Sequence, residues 1–138
     1  MVEKPMMALA EEIISRGIEK SRITILIGAR SAEDILCDLI FKRLGVKVQI
    51  TTEDGSKGEK GLITKSLEKN LGLHLTSGSG IIYTCGPNAM LKAVHNIATA
   101  FSVECQVSME NLMACGTGAC LGCVVKVKSN GDGIYKTV

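Results

Sequence analysis

Aromatic residues and proline are scarce in this sequence, and tryptophan is absent. Only two tyrosines, two phenylalanines and two prolines occur among 138 residues, and the formal net charge is +2. Proteins that bind nucleic acids present a basic surface, and those that bind single strands add aromatic side chains on which bases stack. We therefore expect no nucleic-acid partner.

Long apolar runs are also missing. No run approaches the roughly 18 residues that span a bilayer, and the first residues include charges where a signal peptide would have its apolar core. With 46% hydrophobic and 22% charged residues, the composition is that of a globular domain. We expect a soluble cytoplasmic protein with no membrane partner.

Cysteine is the one residue type present in unusual number. The sequence has six, and three of them, Cys115, Cys120 and Cys123, lie within nine residues. In a chain without a secretion signal, clustered thiols indicate a metal site or redox chemistry before they indicate a disulfide framework.

Strand and helix patterns alternate along residues 1–109. Short β-branched runs predict strands at 22–28, 46–51, 80–84 and 102–109, and apolar residues spaced by three and four predict a helix before each strand. Pro5 suits the first position of the first helix, and Ser31 is predicted to cap the second, which ends at Gly45. The alternation predicts an α/β fold, a parallel sheet with helices on both faces.

Residues 110–138 have a different composition. They are rich in glycine, alanine and cysteine as far as Cys123, and they then predict a strand at 124–128 and a turn at 130–133. We therefore expect two units, a nucleotide-binding domain over 1–109 and a small lobe over 110–138.

The carboxyl ends of the predicted strands carry candidate nucleotide ligands, because parallel sheets bind ligands there. Glu53 and Asp54 follow the second strand, where an acidic side chain can accept hydrogen bonds from an adenosine ribose and would repel a 2′-phosphate. This favours NAD(H) over NADP(H). Gly28 ends the first strand and Arg30 follows it; Arg30 can reach a phosphate or the adenine, and is equally well a surface arginine.

A glycine-rich segment with Gly55, Gly58 and Gly61 leads into the third helix. Backbone N–H groups at the start of a helix favour an anionic group such as a phosphate. Taken alone, the segment is equally typical of a flexible connection. Its place after the acidic pair makes it a candidate nucleotide loop.

Cys85, Gly86 and Pro87 follow the third strand. Glycine lets the backbone approach a flat ring, and proline begins a helix without wasting a hydrogen-bond donor. Cys85 is therefore a candidate neighbour of a nicotinamide ring, although taken alone its thiol is more typical of a buried structural cysteine.

The clustered cysteines have the Cys-x4-Cys-x2-Cys spacing of plant-type [2Fe–2S] sites. The glycines between them allow the backbone to wrap closely around a cluster. Such a cluster needs four protein ligands, whereas Cys115, Cys120 and Cys123 provide three. The alternatives are a zinc site and free cysteines, including a thiol redox sensor.

Together, residues 51–64, 83–90 and 109–123 resemble the carboxyl-terminal part of the ferredoxin reductase-like electron transfer subunits. The resemblance is closest to the subunits of dihydroorotate dehydrogenase type B. The gamma subunits of cytoplasmic sulfhydrogenases and the small subunits of NADH-dependent ferredoxin:NADP oxidoreductases share the same plan.

The resemblance implies an oxidoreductase subunit of pyrimidine biosynthesis that passes electrons between NAD(H), FAD and a [2Fe–2S] cluster to a catalytic partner subunit in a hetero-oligomer. It implies adenosine contacts at Glu53 and Asp54, nicotinamide contacts at Cys85 and Gly86, and cluster ligation by the three clustered cysteines. A hydrogenase or a ferredoxin:NADP oxidoreductase remains the alternative assembly. A zinc-dependent, non-catalytic nucleotide-binding module is the alternative of another class.

The sequence also departs from this family. The flavin-binding barrel is not recognisable, nor are the strand and Gly-Gly loop that the family places before its first helix, and the fourth cysteine of the family would follow Val138. We therefore expect an excised part of a subunit, with a nucleotide domain that lacks its first strand and a lobe that ends before the fourth ligand. By itself this part is expected to hold FAD weakly and to be inactive.

Overall fold

The structure, a computed structural model, describes residues 3–74, 80–110, 113–127 and 134–137. None of the helices in these residues has both the length and the apolar character needed to cross a lipid bilayer. Helices and strands alternate along the chain in the order α1 (Glu3–Ser15), β1 (Thr24–Ala29), α2 (Asp38–Leu44), β2 (Lys47–Thr52), β3 (Glu59–Lys60), α3 (Ile63–His74), β4 (Ile81–Cys85), α4 (Asn88–Ala100), β5 (Glu104–Ser108), β6 (Val124–Val127) and β7 (Ile134–Thr137).

The first five strands form two parallel sheets. β1, β2 and β3 make one sheet, in which Ala29 lies opposite Thr52, and β4 and β5 make the other, in which Cys85 lies opposite Ser108. β6 and β7 pair with each other in antiparallel fashion. The predicted α/β fold with parallel strands is confirmed.

Helices cover both faces because the strands are apolar on both faces. Ile25 of β1 packs on a cluster that includes Phe41 of α2, and the next residue, Leu26, packs on a second cluster that includes Leu67 of α3 and Val94 of α4. Successive side chains of a strand point to opposite faces. The helices α1 and α2 therefore cover one face, while α3 and α4 cover the other.

The second apolar cluster connects the two sheets. Leu26 of β1, Ile82 of β4 and Cys105 of β5 all pack against its buried residues. Burial raises the pKa of the Cys105 thiol, which favours its protonated form at neutral pH. The two parallel sheets share one core on this side.

The helix predicted from Ser31 to Gly45 is wrong in its first half. Residues Ala32–Asp34 form a single 3₁₀ turn, Ile35 is extended, and α2 begins only at Asp38. The backbone N–H of Ser31 donates to the Asp34 carboxylate at 3.3 Å, so this short-range hydrogen bond closes a turn in competition with a longer helix.

Other elements lie within a few residues of their predicted positions. α1 holds Pro5 in its first turn, where its missing N–H costs nothing. The two-residue strand β3 has no signal in the sequence, and Cys37, within the predicted second helix, lies immediately before α2. The turn predicted at 130–133 lies outside the described residues.

Candidate nucleotide site and cysteine loop

The turns that follow β1 and β2 are held together by backbone hydrogen bonds. The N–H of Glu53 donates to the carbonyl of Ala29 at 3.1 Å, and the N–H of Asp54 donates to the carbonyl of Arg30 at 3.2 Å. Both turns lie at the carboxyl end of the same parallel sheet. The structure thus brings together Gly28, Arg30 and the acidic pair, as the sequence predicts.

The two acidic residues have different surroundings. The Asp54 carboxylate accepts hydrogen bonds from the hydroxyl of Ser56 at 2.6 Å and from its N–H at 2.9 Å, and these bonds hold the pKa of Asp54 below its ordinary value. Glu53 is exposed, and within the described residues its carboxylate makes no hydrogen bond or ion pair. Asp54 therefore shapes the turn, and Glu53 is the side chain available to a ligand.

The glycine-rich loop is anchored by Thr52, which is fully buried. Its hydroxyl donates to the carbonyl of Lys57 at 2.8 Å and accepts from the N–H of the same residue at 3.0 Å. At the other end of the loop, the N–H of Gly61 donates to the carbonyl of Thr52 at 2.9 Å. One buried threonine thus fixes the middle and the end of the loop.

A second anchor joins the loop to the turn after β1. The hydroxyl of Ser56 accepts a hydrogen bond from the N–H of Ala32 at 2.7 Å. Because the same hydroxyl donates to Asp54, a single serine connects the acidic pair, the loop and the 3₁₀ turn.

Two of the candidate glycines have packing reasons for being glycine. A Cβ on Gly58, where φ is +75°, would lie 2.0 Å from the carbonyl oxygen of Ile50, far inside any tolerated contact. A Cβ on Gly28 would lie 2.7 Å from Cβ of Ile63, the first residue of α3. Both glycines let backbone lie close to neighbouring structure, which places the loop and the helix against the sheet.

A polar group beneath the loop was not found by sequence reasoning. The hydroxyls of Thr51 and Ser66, both buried, lie 2.8 Å apart, and Ser66 also donates to Glu59 at 3.1 Å. Lys69, which pairs with the other oxygen of Glu59 at 2.8 Å, is the main cause that lowers the pKa of Glu59. In the sequence, the only indication of this polar group is the threonine pair Thr51 and Thr52 at the end of strand β2.

The third candidate segment ends the other sheet. Cys85 is the buried last residue of β4, and Pro87 directly precedes α4, whose residue Leu91 donates its N–H to the Pro87 carbonyl at 3.0 Å. A Cβ on Gly86 would meet the end of the Met90 side chain at 2.4 Å. Within the described residues, no hydrogen bond joins this turn to the turns after β1 and β2.

The cysteine loop, residues 113–123, places hydrogen-bond donors around the Cys115 thiol. Hydrogen bonding from Cys120 and Thr117 lowers the pKa of Cys115 from 9.0 to about 5. The Cys120 sulfur accepts from the N–H of Gly122 at 3.5 Å. Cys115 and Cys120 are exposed, whereas Cys123 is 4% exposed.

These surroundings fit thiolate ligands of an iron–sulfur cluster. Backbone N–H groups directed at sulfur offset negative charge and favour the deprotonated form. Among the described residues, however, no three side chains of His, Cys, Asp or Glu lie close enough together to hold a metal ion. The described residues therefore do not form a complete metal site, and the ligand roles of Cys115, Cys120 and Cys123 stay a prediction.

Two family models match this chain. The oxidoreductase NAD-binding domain matches residues 4–96. The iron–sulfur cluster binding domain of dihydroorotate dehydrogenase B matches residues 110–138. The nucleotide turns thus lie in a segment similar to NAD-binding domains, and the cysteine loop lies in a segment similar to an iron–sulfur domain.

Curated relatives show the same similarity over almost the whole chain. Three of them are dihydroorotate dehydrogenase B (NAD(+)) electron transfer subunits, one of them named as probable. The subunit of Caldanaerobacter subterraneus subsp. tengcongensis is 40% identical over 125 residues, which cover 91% of this chain and 47% of that subunit. The subunit of Desulforamulus reducens is 35% identical over 128 residues, covering 93% and 47%. The probable subunit of Methanocaldococcus jannaschii is 38% identical over 121 residues, covering 88% and 44%.

The chain therefore spans about half the length of the curated relatives that it matches. The resemblance drawn from the three sequence segments is confirmed.

Proposed function

Because the chain belongs to the family of oxidoreductase NAD-binding domains and carries a segment of the dihydroorotate dehydrogenase B iron–sulfur type, we propose that it is the NAD(H)-binding and [2Fe–2S] part of an electron-transfer subunit. The observation that carries this proposal is the hydrogen-bonded pair of turns, Ala29–Arg30 with Glu53–Asp54, in the same chain as a cysteine loop in which the N–H of Gly122 donates to the Cys120 sulfur. The subunit passes electrons between NAD(H), FAD and the cluster to a catalytic partner.

At the nucleotide site, Glu53 accepts hydrogen bonds from the adenosine ribose. Its exposed carboxylate supports this role, whereas the Asp54 carboxylate is engaged by Ser56. The glycine-rich loop from Gly55 to Gly61 and the Arg30 guanidinium lie at the phosphates; the N–H groups of Gly55 and Gly61 themselves donate to the Thr52 carbonyl and shape the loop. Gly28 and Gly58 contribute by letting the loop and α3 lie close to the sheet.

At the other end of the nucleotide, Cys85, Gly86 and Pro87 border the nicotinamide. The position of Cys85 as the buried last residue of a parallel strand supports this role. A hydride carries two electrons and a [2Fe–2S] cluster accepts one, so FAD supplies the step between them when it is bound. Cys115, Cys120 and Cys123 hold the cluster, together with a fourth ligand from outside this loop.

We further propose that the nucleotide domain, residues 1–109, is completed by one more parallel strand between β1 and β4. Within the described residues β1 pairs only with β2, and β4 pairs only with β5, although Leu26 and Ile82 pack on the same cluster. An apolar strand with an unpaired edge is a site for strand addition. The proposed second unit, residues 110–138, then carries the cluster.

The test of this function is anaerobic reduction by NADH of the full-length protein reconstituted with FAD, iron and sulfide. We expect visible absorption and electron paramagnetic resonance signals of a reduced [2Fe–2S] cluster. Cys120→Ser should lose these signals and retain NADH binding, while Cys105→Ser, in the core of the sheet domain, should retain both. Absence of flavin and cluster signals from the unmodified protein would overturn the proposal, and stoichiometric zinc without acid-labile sulfide would favour a zinc module.

The nucleotide preference and the partner have their own measurements. Glu53→Gln should raise the KM for NADH and reduce the preference for NADH over NADPH. A preference of the unmodified protein for NADPH would contradict the role of Glu53.

With a dihydroorotate dehydrogenase catalytic subunit as the partner, we expect dihydroorotate-dependent reduction of NAD⁺. Hydrogen-dependent reduction in a copurified complex would instead identify a hydrogenase assembly.

A further inference from the structure

Asp38, the first residue of α2, is a buried carboxylate beside the glycine-rich loop. It is 5% exposed and is the only buried acidic residue among those that the structure describes. The same oxygen, Oδ2, lies 3.0 Å from Nζ of Lys42 and 3.0 Å from Nζ of Lys57. Burying a carboxylate is costly unless it is paired, so these two ammonium groups account for its place in the fold.

The two lysines link Asp38 to different parts of the molecule. Lys42 lies one turn further along α2, so its ion pair stays within one helix. Lys57 lies in the glycine-rich loop, so its ion pair connects that loop to α2. The loop also forms an ion pair with α3, between Glu59 and Lys69. Within the described residues, the Lys57–Asp38 pair is the only one that joins the loop to α2, on the opposite face of the sheet.

The backbone of the loop shows why such a connection matters. Three of the seven residues from Gly55 to Gly61 are glycines, and glycine loses more conformational freedom on ordering than any other residue. The Thr52 hydroxyl fixes the N–H and carbonyl of Lys57, and Asp38 fixes the end of its side chain. Lys57 is thus held at both its backbone and its ammonium group.

We infer that Asp38 is a positioning residue for the nucleotide loop: through Lys57, it holds the loop backbone against the sheet in the conformation that receives the nucleotide. The inference rests on the proposed NAD(H)-binding role of this loop. In this arrangement the Lys57 ammonium group is directed to Asp38, and nucleotide affinity comes from the positioned loop rather than from a lysine–phosphate contact.

The experiment compares Asp38→Asn, Lys57→Met and the matched control Lys42→Met in the full-length protein. Asp38→Asn keeps the size of the side chain and removes its charge, and Lys42→Met removes the ion pair that stays within α2. We expect Asp38→Asn and Lys57→Met each to raise the KM for NADH roughly tenfold, a size typical of coupled neighbours, with kcat unchanged. Lys42→Met should leave the KM unchanged.

The double variant Asp38→Asn/Lys57→Met separates positioning from direct contact. If Asp38 acts through Lys57, the double variant is no worse than either single variant. If the KM for NADH rises more in Lys57→Met than in Asp38→Asn, and stays as high in the double variant, Lys57 itself binds the phosphates and the inference is overturned. An unchanged KM in Asp38→Asn would overturn it as well.

Amide hydrogen exchange without nucleotide distinguishes this inference from the proposed function. Exchange at residues 55–58 should be faster in Asp38→Asn than in the unmodified protein or in Lys42→Met. If exchange changes in this way while the unmodified protein binds no NADH, the loop is positioned as inferred and the proposed function fails. Unchanged exchange at these amides would reject the positioning role even where NADH binds.

Discussion

The parallel sheets and the cysteine loop are held by different kinds of contact. In the sheets, two apolar clusters support the strands, and side chains such as Thr52 and Ser56 fix the loop that follows β2. Among the side chains described between residues 113 and 125, Cys123 alone is buried, and the Cys115 and Cys120 sulfurs accept hydrogen bonds from backbone N–H groups.

This difference indicates how each site acquires its geometry. The nucleotide turns are assembled by contacts within the protein, so they are preorganised before any ligand binds. Among the side chains that the structure describes in the cysteine loop, Cys123 is the one that is buried. In such loops the free energy of metal ligation is also free energy of folding, so we expect cluster binding to stabilise the cysteine loop.

The largest expected effect comes from removing a core side chain of the sheet domain. Phe41 is 2% exposed, and Phe41→Ala should lower the free energy of unfolding by about 3–5 kcal/mol because it leaves a cavity. Met113, in the cysteine lobe, is 60% exposed, and Met113→Ala should change the free energy by less than about 0.5 kcal/mol. Urea unfolding measures both, and equal losses would contradict the difference between the two regions.

A smaller effect is expected when a turn glycine is replaced in each region. Gly58→Ala would place a Cβ against the Ile50 carbonyl, whereas a Cβ on Gly116, where φ is +68°, would meet no atom of the described residues within 4 Å. We expect Gly116→Ala to cost only backbone strain of about 1–2 kcal/mol. Gly58→Ala should cost more and should also weaken NADH binding. Thermal unfolding and NADH titration of both variants provide the comparison.

The smallest expected effect is the loss of stability in acid. The pKa of Asp54 is lowered by Ser56 and that of Glu59 by Lys69, and water screens both exposed groups. In the folded protein both pKa values lie below the ordinary values of 3.8 for Asp54 and 4.5 for Glu59. The contribution of the two carboxylates to folding stability is therefore complete above the ordinary values, and it is lost as the pH falls through the pKa values of the folded state.

The urea midpoint should therefore be constant at neutral pH and should fall below about pH 4. Asp54→Asn should make that fall shallower. No carboxylate occurs from 113 to 127, so amide exchange in the cysteine loop should not follow this titration. A urea midpoint that rises on acidification would contradict the expected loss of folding stability in acid.

Much of the fold could be predicted because it follows from local pattern. Strands β1, β2 and β4 are short segments rich in apolar residues, β5 alternates polar and apolar residues, and the helices α1, α3 and α4 carry apolar stripes. The second helix was predicted too long because the Ser31–Asp34 hydrogen bond closes a turn that periodicity does not reveal. Strand β3 was missed because its two residues pair only where the loop returns to β2.

The candidate site could be predicted in position and only partly in detail. Placing acidic residues and glycines after parallel strands requires only the order of elements along the chain. The Asp54 carboxylate accepts a hydrogen bond from Ser56, whereas the Glu53 carboxylate does not. This difference can be known only from which hydroxyl lies within hydrogen-bond distance. The buried Thr52 and Asp38 have no sequence signal of their own, since burial depends on residues distant in sequence.

The sequence by itself determined which chemical groups are present and in what order: acidic side chains and glycines at strand ends, and thiols at cluster spacing. These depend on residue identity and on separation along the chain. Only the tertiary structure decided which of these groups form hydrogen bonds or ion pairs within the protein and which are available to a ligand. A carboxylate such as Asp38 binds the nearest ammonium group in space, and Lys57 becomes its neighbour only when the loop folds against the sheet.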